Sequence, residues 1–193
     1  VLASVAMTSP ASLSVSRLAV PLPIAINATP CSLHSFARAK TLLSDDGVML
    51  LHTIGRMGKP GVTDPFTAKY IFPGGYNPSL SEIVTASERV RLILTDCEVL
   101  RLHYALTLDH WLARTNAARD QIVAMYDERF FRLWQFYLAG ASGAFRYGGL
   151  VNFQLQYARN RNALPITRDY LAAAEARYRG LAAAAVESGP PAG

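Results

Sequence analysis

The chain has 193 residues, 51% of them hydrophobic and 17% charged, which suffices for one domain or part of a larger one and excludes global disorder. Nineteen Lys and Arg against fourteen Asp and Glu give a net charge of +5. The basic residues are mostly Arg scattered from Arg89 to Arg179, so the charge is either ordinary surface Arg or a diffuse attraction to an anionic surface, phospholipid or nucleic acid, without the long basic run typical of the latter.

Residues 1 to 35 are rich in Ala, Ser, Val and Pro and carry one charge, Arg17. Pro21 and Pro23 break any helix there, and a secretory signal would need a positive amino-terminal region that is missing. The expectation is an unmatched, disordered leader. Ser35 to Leu43 reads as a helix, with Phe36, Ala39 and Leu43 at helical spacing. Ser44-Asp-Asp-Gly47 is turn chemistry, and Val48 to Leu51 is a short apolar run of the kind buried on both faces of a sheet. That run ends on His52, which places a titratable side chain at the carboxyl end of a strand, where open α/β sheets hold ligands. The competing reading of His52 is a core histidine satisfied by a backbone carbonyl.

Beyond a Gly- and Pro-punctuated loop, Lys69 to Gly75 reads as a compact aromatic turn. Ser79-Leu-Ser-Glu82 is a capping box that opens a helix through about Glu88, and Val90 to Val99 reads as a strand. Tyr104 to Thr115 and Ala117 to Leu138 are helical. The second carries a broad apolar stripe from Ile122, Met125 and Tyr126 through Phe130, Trp134, Tyr137 and Leu138, read as core more readily than as a lipid-lined face. Gly140, Gly143, Gly148 and Gly149 are expected to loosen the backbone around Phe145 and Arg146. Leu150 to Tyr157 alternates apolar and polar residues as a half-buried strand, Leu171 to Val186 can form a helix, and the last residues are expected to be disordered.

The pattern is α/β with few strands. It contains no Gly-rich strand-to-helix turn for a nucleotide, no defensible Ser-His-Asp order and no His/Cys metal spacing. Cys31 and Cys97 are too few and too far apart for a disulfide framework, which fits a reducing compartment. No apolar stretch is long enough to span a membrane.

Gly47-Val-Met-Leu-Leu-His-Thr-Ile-Gly55, Asp64-Pro-Phe-Thr-Ala-Lys-Tyr-Ile-Phe-Pro-Gly-Gly75, Tyr104-Ala-Leu-Thr-Leu-Asp-His-Trp111, Tyr126-Asp-Glu-Arg-Phe130 and Tyr137-Leu-Ala-Gly-Ala-Ser-Gly-Ala-Phe-Arg146 occur in that order. Together they resemble the carboxyl-terminal half of the cyclopropane-fatty-acyl-phospholipid synthases, a family that includes the mycolic acid cyclopropane synthases. The resemblance covers roughly Phe36 to Arg159 and is specific because of the ordered set. It implies the carboxyl-terminal part of a Rossmann-like, seven-stranded, class I methyltransferase fold dependent on S-adenosylmethionine. Val48 to Leu51 would be its fifth strand and the last two strands a closing hairpin.

The implied reaction adds a methylene from S-adenosylmethionine across the double bond of an unsaturated acyl chain, with a proton then lost from the transferred methyl. Family members hold bicarbonate for that step. Carried over by motif, its ligands are His52, the backbone of Ile54 and Tyr104. A cationic centre needs shelter by aromatic faces, and Tyr137, Phe145 and Phe153 are expected as substrate-pocket walls or, equally, plain core. The family's Gly-rich cofactor loop, its upstream Cys and its Glu-His-Val-Gly Glu find no counterpart before Phe36, so no cofactor-binding residue is assigned. The expected layout is a leader at 1–35, the carboxyl-terminal half of the domain at 36–178 and a flexible tail at 179–193. Alternatives are a fatty-acid methyltransferase without ring closure, or an inactive remnant that binds only lipid or a partner. The resemblance further implies a cytoplasmic protein peripheral at the inner membrane face, with an anionic membrane surface as partner and no nucleic acid; a homodimer stays open.

Overall fold

The computed structural model describes residues 4–8 and 32–187. Four strands form one sheet in the order β1-β2-β4-β3, with β1 Ser4–Thr8, β2 Val48–Arg56, β3 Ile93–Leu100 and β4 Leu150–Ala158. Every pairing is antiparallel. Helices α1 (Leu33–Leu42), α2 (Pro65–Tyr70) and α3 (Leu80–Arg89) precede β3. The helices α4 (His103–Ala117), α5 (Arg119–Met125) and α6 (Glu128–Tyr147) join β3 to β4, and α7 (Asp169–Glu187) follows β4.

Strand periodicity sorts the sheet into two faces. Met49, Leu51, Val151, Phe153, Leu155 and Tyr157 point one way and pack with Phe36, Ala39 and Leu43 at α1 and with Ile83 of α3. His52, Ile54, Asn152 and Gln154 alternate with these and point the other way, where Ile54 and Leu150 meet α4 and α6. Gly55 lies on the first face because the Phe153 ring crosses it: an added Cβ would stand 2.5 Å from that ring and 2.7 Å from the Pro78 carbonyl oxygen.

The start of α3 is set by the expected capping box, in which Ser79 and Glu82 exchange backbone and side-chain hydrogen bonds. Tyr76 adds a 2.6 Å hydrogen bond to Glu82. Burial alone would raise the Glu82 pKa, but the hydrogen bonds from Tyr76 and Ser79 outweigh it and leave it lowered.

Several expectations change. β2 continues to Arg56, so His52 sits in mid-strand and not at a strand end; the β-branched Thr53 and Ile54 extend the pairing with β4. The aromatic turn at Lys69–Phe72 is partly the helix α2, capped by Asp64 through the Thr67 N–H. The expected helix 117–138 breaks at Tyr126, where Asp127 caps α6 with a 2.6 Å bond from the Phe130 N–H. Gly140 and Gly143 do not loosen the chain. They sit inside α6 with nothing within 4 Å of an added Cβ, while Leu138, Ser142 and Phe145 bury the opposite side against α4, and packing outweighs glycine's propensity cost of about 1 kcal/mol each. Gly148 caps the helix and Gly149, at φ +79, turns the chain into β4. The last two strands pair directly, but three helices separate them, so they are not a tight hairpin.

Residues 4–8, expected in a disordered leader, form β1 beside β2. Cys31 and the prolines at 21 and 23 lie outside the described residues. The helix α7 runs to Glu187, well beyond the expected start of a flexible tail at 179. No described helix is long and apolar enough to cross a membrane.

Candidate functional site

The face of the sheet turned toward α4 and α6 gathers the polar groups. In register, His52 stands opposite Gln154 and Ile54 opposite Asn152. The Gln154 amide nitrogen lies 3.2 Å from His52 Nδ1. This is not the backbone-carbonyl partner of a plain core histidine. Ile54 packs into the helical cluster of Ala105, Leu108, Leu138 and Phe145, which Tyr104 and Tyr137 also join. Topology therefore brings His52, Ile54 and Tyr104 to one layer, although Tyr104 opens a helix about fifty residues downstream.

The Ile54 N–H points to the side of β2 away from β4. Arg56 donates its N–H to the Pro78 carbonyl, away from β4, whereas Met57 donates toward Gly149 on the β4 side. Alternation along the strand turns the Ile54 N–H the same way as that of Arg56. β1 ends at Ser4 opposite His52, so among the described residues no strand residue stands opposite Ile54 there.

Tyr104 touches the rings of Phe145 at 5.1 Å and Trp111 at 6.0 Å. Burial pushes its phenol above the ordinary value of 10.0, so it stays protonated and able to donate near neutral pH. Tyr137 is raised too, by burial and by its nearness to Tyr104. Phe145 is buried in the same cluster. Phe153 is not a wall of that space. It lies in the opposite core, because odd-numbered β4 residues face α1 and α3, and the sheet separates it from Tyr137 and Phe145.

An aromatic ridge leads outward from Tyr137. Its successive ring centroids are Tyr137 to Trp134 at 5.2 Å, Trp134 to Phe130 at 6.5 Å and Phe130 to Tyr126 at 4.3 Å. Tyr126 is 64% exposed and Met125 69%, so the outer part of the stripe expected as core is surface. Beside it, Trp111, Arg114, Thr115, Ala118, Ile122 and Trp134 line an open groove of about 320 Å³.

Sequence reasoning missed three groups. Gln154 and Asn152 fall on the polar side of the alternating β4 pattern, which reads as solvent-facing; in the fold Gln154 is half-buried and Asn152 buried. Asn152 is 5% exposed, and its Oδ1 has no hydrogen-bond partner among the described residues. Asp109 accepts from Ser142 Oγ at 2.6 Å and pairs with Arg146, tying α4 to α6. Those hydrogen bonds, from Ser142 and then Arg146, lower the Asp109 pKa. The signal was present as the helical spacing of Ser142 and Arg146, but their partner on another helix was not legible. Among the described residues no cluster of His, Cys, Asp and Glu could hold a metal. Cys97 is a free thiol whose pKa is raised by burial and by Asp96, which makes it a poor nucleophile.

Comparison with solved structures defines the class. The chain aligns with the cyclopropane synthase MmaA2 from Mycobacterium tuberculosis at TM-score 0.61 and 31% identity, covering 65% of this chain and 49% of that one. It aligns with the mycolic acid cyclopropane synthase CmaA1, solved with SAH and CTAB, at TM-score 0.59 and 31% identity, covering 65% and 48%. The fold is the carboxyl-terminal part of a Rossmann-like class I methyltransferase fold. A family profile described as mycolic acid cyclopropane synthetase matches residues 32–155, and the chain belongs to that family. It is 36% identical over 134 residues to the cyclopropane-fatty-acyl-phospholipid synthase of Escherichia coli K12, covering 69% of this chain and 35% of that protein. It is 35% identical over 132 residues to a probable fatty acid methyltransferase of Pseudomonas putida, covering 66% and 33%. The chain thus spans about a third of the length of these two relatives.

Proposed function

We propose that this chain supplies the anion-binding and acyl-facing part of a methyltransferase that adds a methylene from S-adenosylmethionine to the double bond of an unsaturated acyl chain in lipid. The observation that carries this reading is that Ile54, on the same sheet face as His52, packs into the helical cluster that includes Tyr104.

The residues fit a bicarbonate. His52 can donate from its ring, Ile54 from its backbone and Tyr104 from its phenol, and Asn152 Oδ1, unpartnered among the described residues, is an acceptor opposite Ile54, two residue pairs from His52. Bicarbonate supplies, when bound, a base for the proton lost in ring closure. The chain's own work is to hold three half-buried donors on one side of the sheet, where partial burial strengthens each hydrogen bond. Tyr104, Tyr137 and Phe145 present ring faces that would shelter positive charge and exclude water. The ridge from Tyr137 to Tyr126 suits an apolar chain approaching from the surface.

S-adenosylmethionine finds no such fit. The chain contains no G-x-G sequence, and no described residue is assigned to it. The remaining parts of its site would come from outside the described residues. The P. putida relative favours a second reading, methyl transfer without ring closure, on the same residues.

The test places the equivalents of His52→Ala and Tyr104→Phe in a full-length relative. Turnover is expected to fall on the order of a hundredfold, as for loss of one oxyanion donor, with thermal melts nearly unchanged. Unchanged turnover per folded molecule would sink the anion site. The product ratio of cyclopropane to methyl-branched chain separates the two readings.

We also propose that the protein works peripherally at an anionic membrane. The support is its net charge of +5 with an exposed aromatic ridge. Vesicle flotation is expected to recover more chain with anionic than with neutral lipid; equal recovery would refute electrostatic docking.

A further inference from the structure

We infer that Gln154 is a positioning residue for His52, and that its side-chain amide fixes the imidazole tautomer the site needs; the purpose of this device rests on the anion-site reading above.

The two side chains are a directly opposed cross-strand pair, His52 on β2 and Gln154 on β4, with Gln154 Nε2 at 3.2 Å from His52 Nδ1. A primary amide nitrogen only donates. With the amide in this orientation His52 Nδ1 accepts, which leaves it without a proton and puts the ring proton on Nε2. The neutral ring then presents an N–H, a donor, at its far nitrogen. The opposite tautomer would present a lone pair and repel an anion. A histidine meant to act as a base there would want that opposite arrangement, so the amide separates the two roles.

In register His52 stands between Ser4 of β1 and Gln154 of β4, and Gln154 makes the hydrogen bond to its ring. The residue across from Gln154 on the other side is Glu98 of β3, which shares the face but stands two strand spacings from His52, roughly 9–10 Å. The next amide on β4, Gln156, is occupied elsewhere: its Oε1 accepts from Thr95 at 3.0 Å and from Tyr170 at 2.7 Å. Asn152 stands opposite Ile54, two pairs along. Among the described side chains, Gln154 is the one with a hydrogen bond to the His52 ring.

The test uses the 193-residue chain, labelled with 15N, and long-range proton–nitrogen correlation spectra, which report which imidazole nitrogen carries the proton. The spectrum of a His52→Gln variant identifies the His52 signals among those of the chain's four histidines. In the unaltered chain His52 is expected as the Nε2–H tautomer. Gln154→Glu replaces a donor by a pure acceptor of nearly the same shape and is expected to move the proton to Nδ1. Gln154→Leu is expected to give a mixture. An Nδ1–H ring in the unaltered chain, or an unchanged Nε2–H ring in Gln154→Glu, would overturn the inference. The first of these needs no variant to fold.

A bicarbonate titration in the same samples separates this inference from the reading it rests on. Saturable shifts at His52 in the unaltered chain, at least about tenfold weaker in Gln154→Glu, support both. A tautomer that follows Gln154 with no response to bicarbonate upholds Gln154 as the positioning residue and removes the anion site.

Discussion

The two faces of the one sheet are built on opposite principles. The face toward α1 and α3 is dry: Met49, Leu51, Phe153, Leu155 and Tyr157 are each at most 1% exposed, and the Phe36 and Tyr157 rings meet edge to face at 5.4 Å. The face toward α4 and α6 is mixed, with His52, Asn152 and Gln154 among Ile54, Tyr104 and Phe145. Burying unpaired polar groups costs stability, so the second face gives up cohesion that the first retains. The lesson is that this sheet divides its labour: one side holds the fold together and the other keeps donors in a covered space.

Substitutions can break that comparison. The largest stability effect is expected from Phe153→Ala, which empties a fully buried site on the dry face. Unfolding in urea should show a loss of about 3–5 kcal/mol, while the His52 ring signals of the surviving folded chain stay in place. A loss below about 1 kcal/mol would mean that the dry face does not carry the stability assigned to it.

Gly55→Ala comes next. The new methyl would meet the Phe153 ring at 2.5 Å and the Pro78 carbonyl oxygen at 2.7 Å. The backbone oxygen cannot step aside as a side chain can, so a cost of about 1–3 kcal/mol is expected. Combining it with Phe153→Leu should recover part of that loss; full additivity in a double-mutant cycle would show that the two sites do not touch.

The smallest effect is electrostatic and sharpens the comparison from the mixed side. Asp109, Asp64 and Glu82 have folded pKa values lowered from ordinary values of 3.8, 3.8 and 4.5. Hydrogen bonds cause the lowering at Asp109 and Asp64, and at Glu82 they overcome burial. A lowered carboxylate adds stability that is complete above its unfolded pKa and is lost as pH falls through the folded value. Thermal melts should thus be flat from pH 7 to about 5 and decline below the ordinary carboxylate range. Asp109→Asn should melt lower than the unaltered chain at neutral pH, with the gap closing as the pH drops below that range. A gap that does not change with pH would mean the α4–α6 link owes nothing to the Asp109 charge.

Much of the fold was legible because local chemistry dictates it. The Ser79–Glu82 capping box starts α3 where its side chains say it should. The β4 alternation places the strand within a residue, at Leu150–Ala158. The motif set placed the chain in its family before any geometry was known. Of the residues named from the motifs, Ile54, Tyr104, Tyr137 and Phe145 share one packed cluster, His52 lies on the same sheet face as Ile54, and Phe153 lies in the opposite core.

The remainder belonged to tertiary structure. His52 reads as a strand end from an apolar run alone, yet β4 pairs with β2 as far as Arg56 and carries the strand past it. Gly140 and Gly143 read as loosening the backbone, yet α6 runs unbroken through them with Leu138, Ser142 and Phe145 buried. Gln154 and Asn152 alternate as a polar face should, and only helices from another part of the chain bury Asn152 and leave Gln154 half-buried. The sequence by itself determined which residues can form strands, caps and helices, since those depend on neighbours a few positions away. Tertiary structure decided which polar residues meet water and which meet one another, because hydrogen-bond partners such as His52 and Gln154 lie about a hundred residues apart and only the antiparallel register brings them within 3.2 Å.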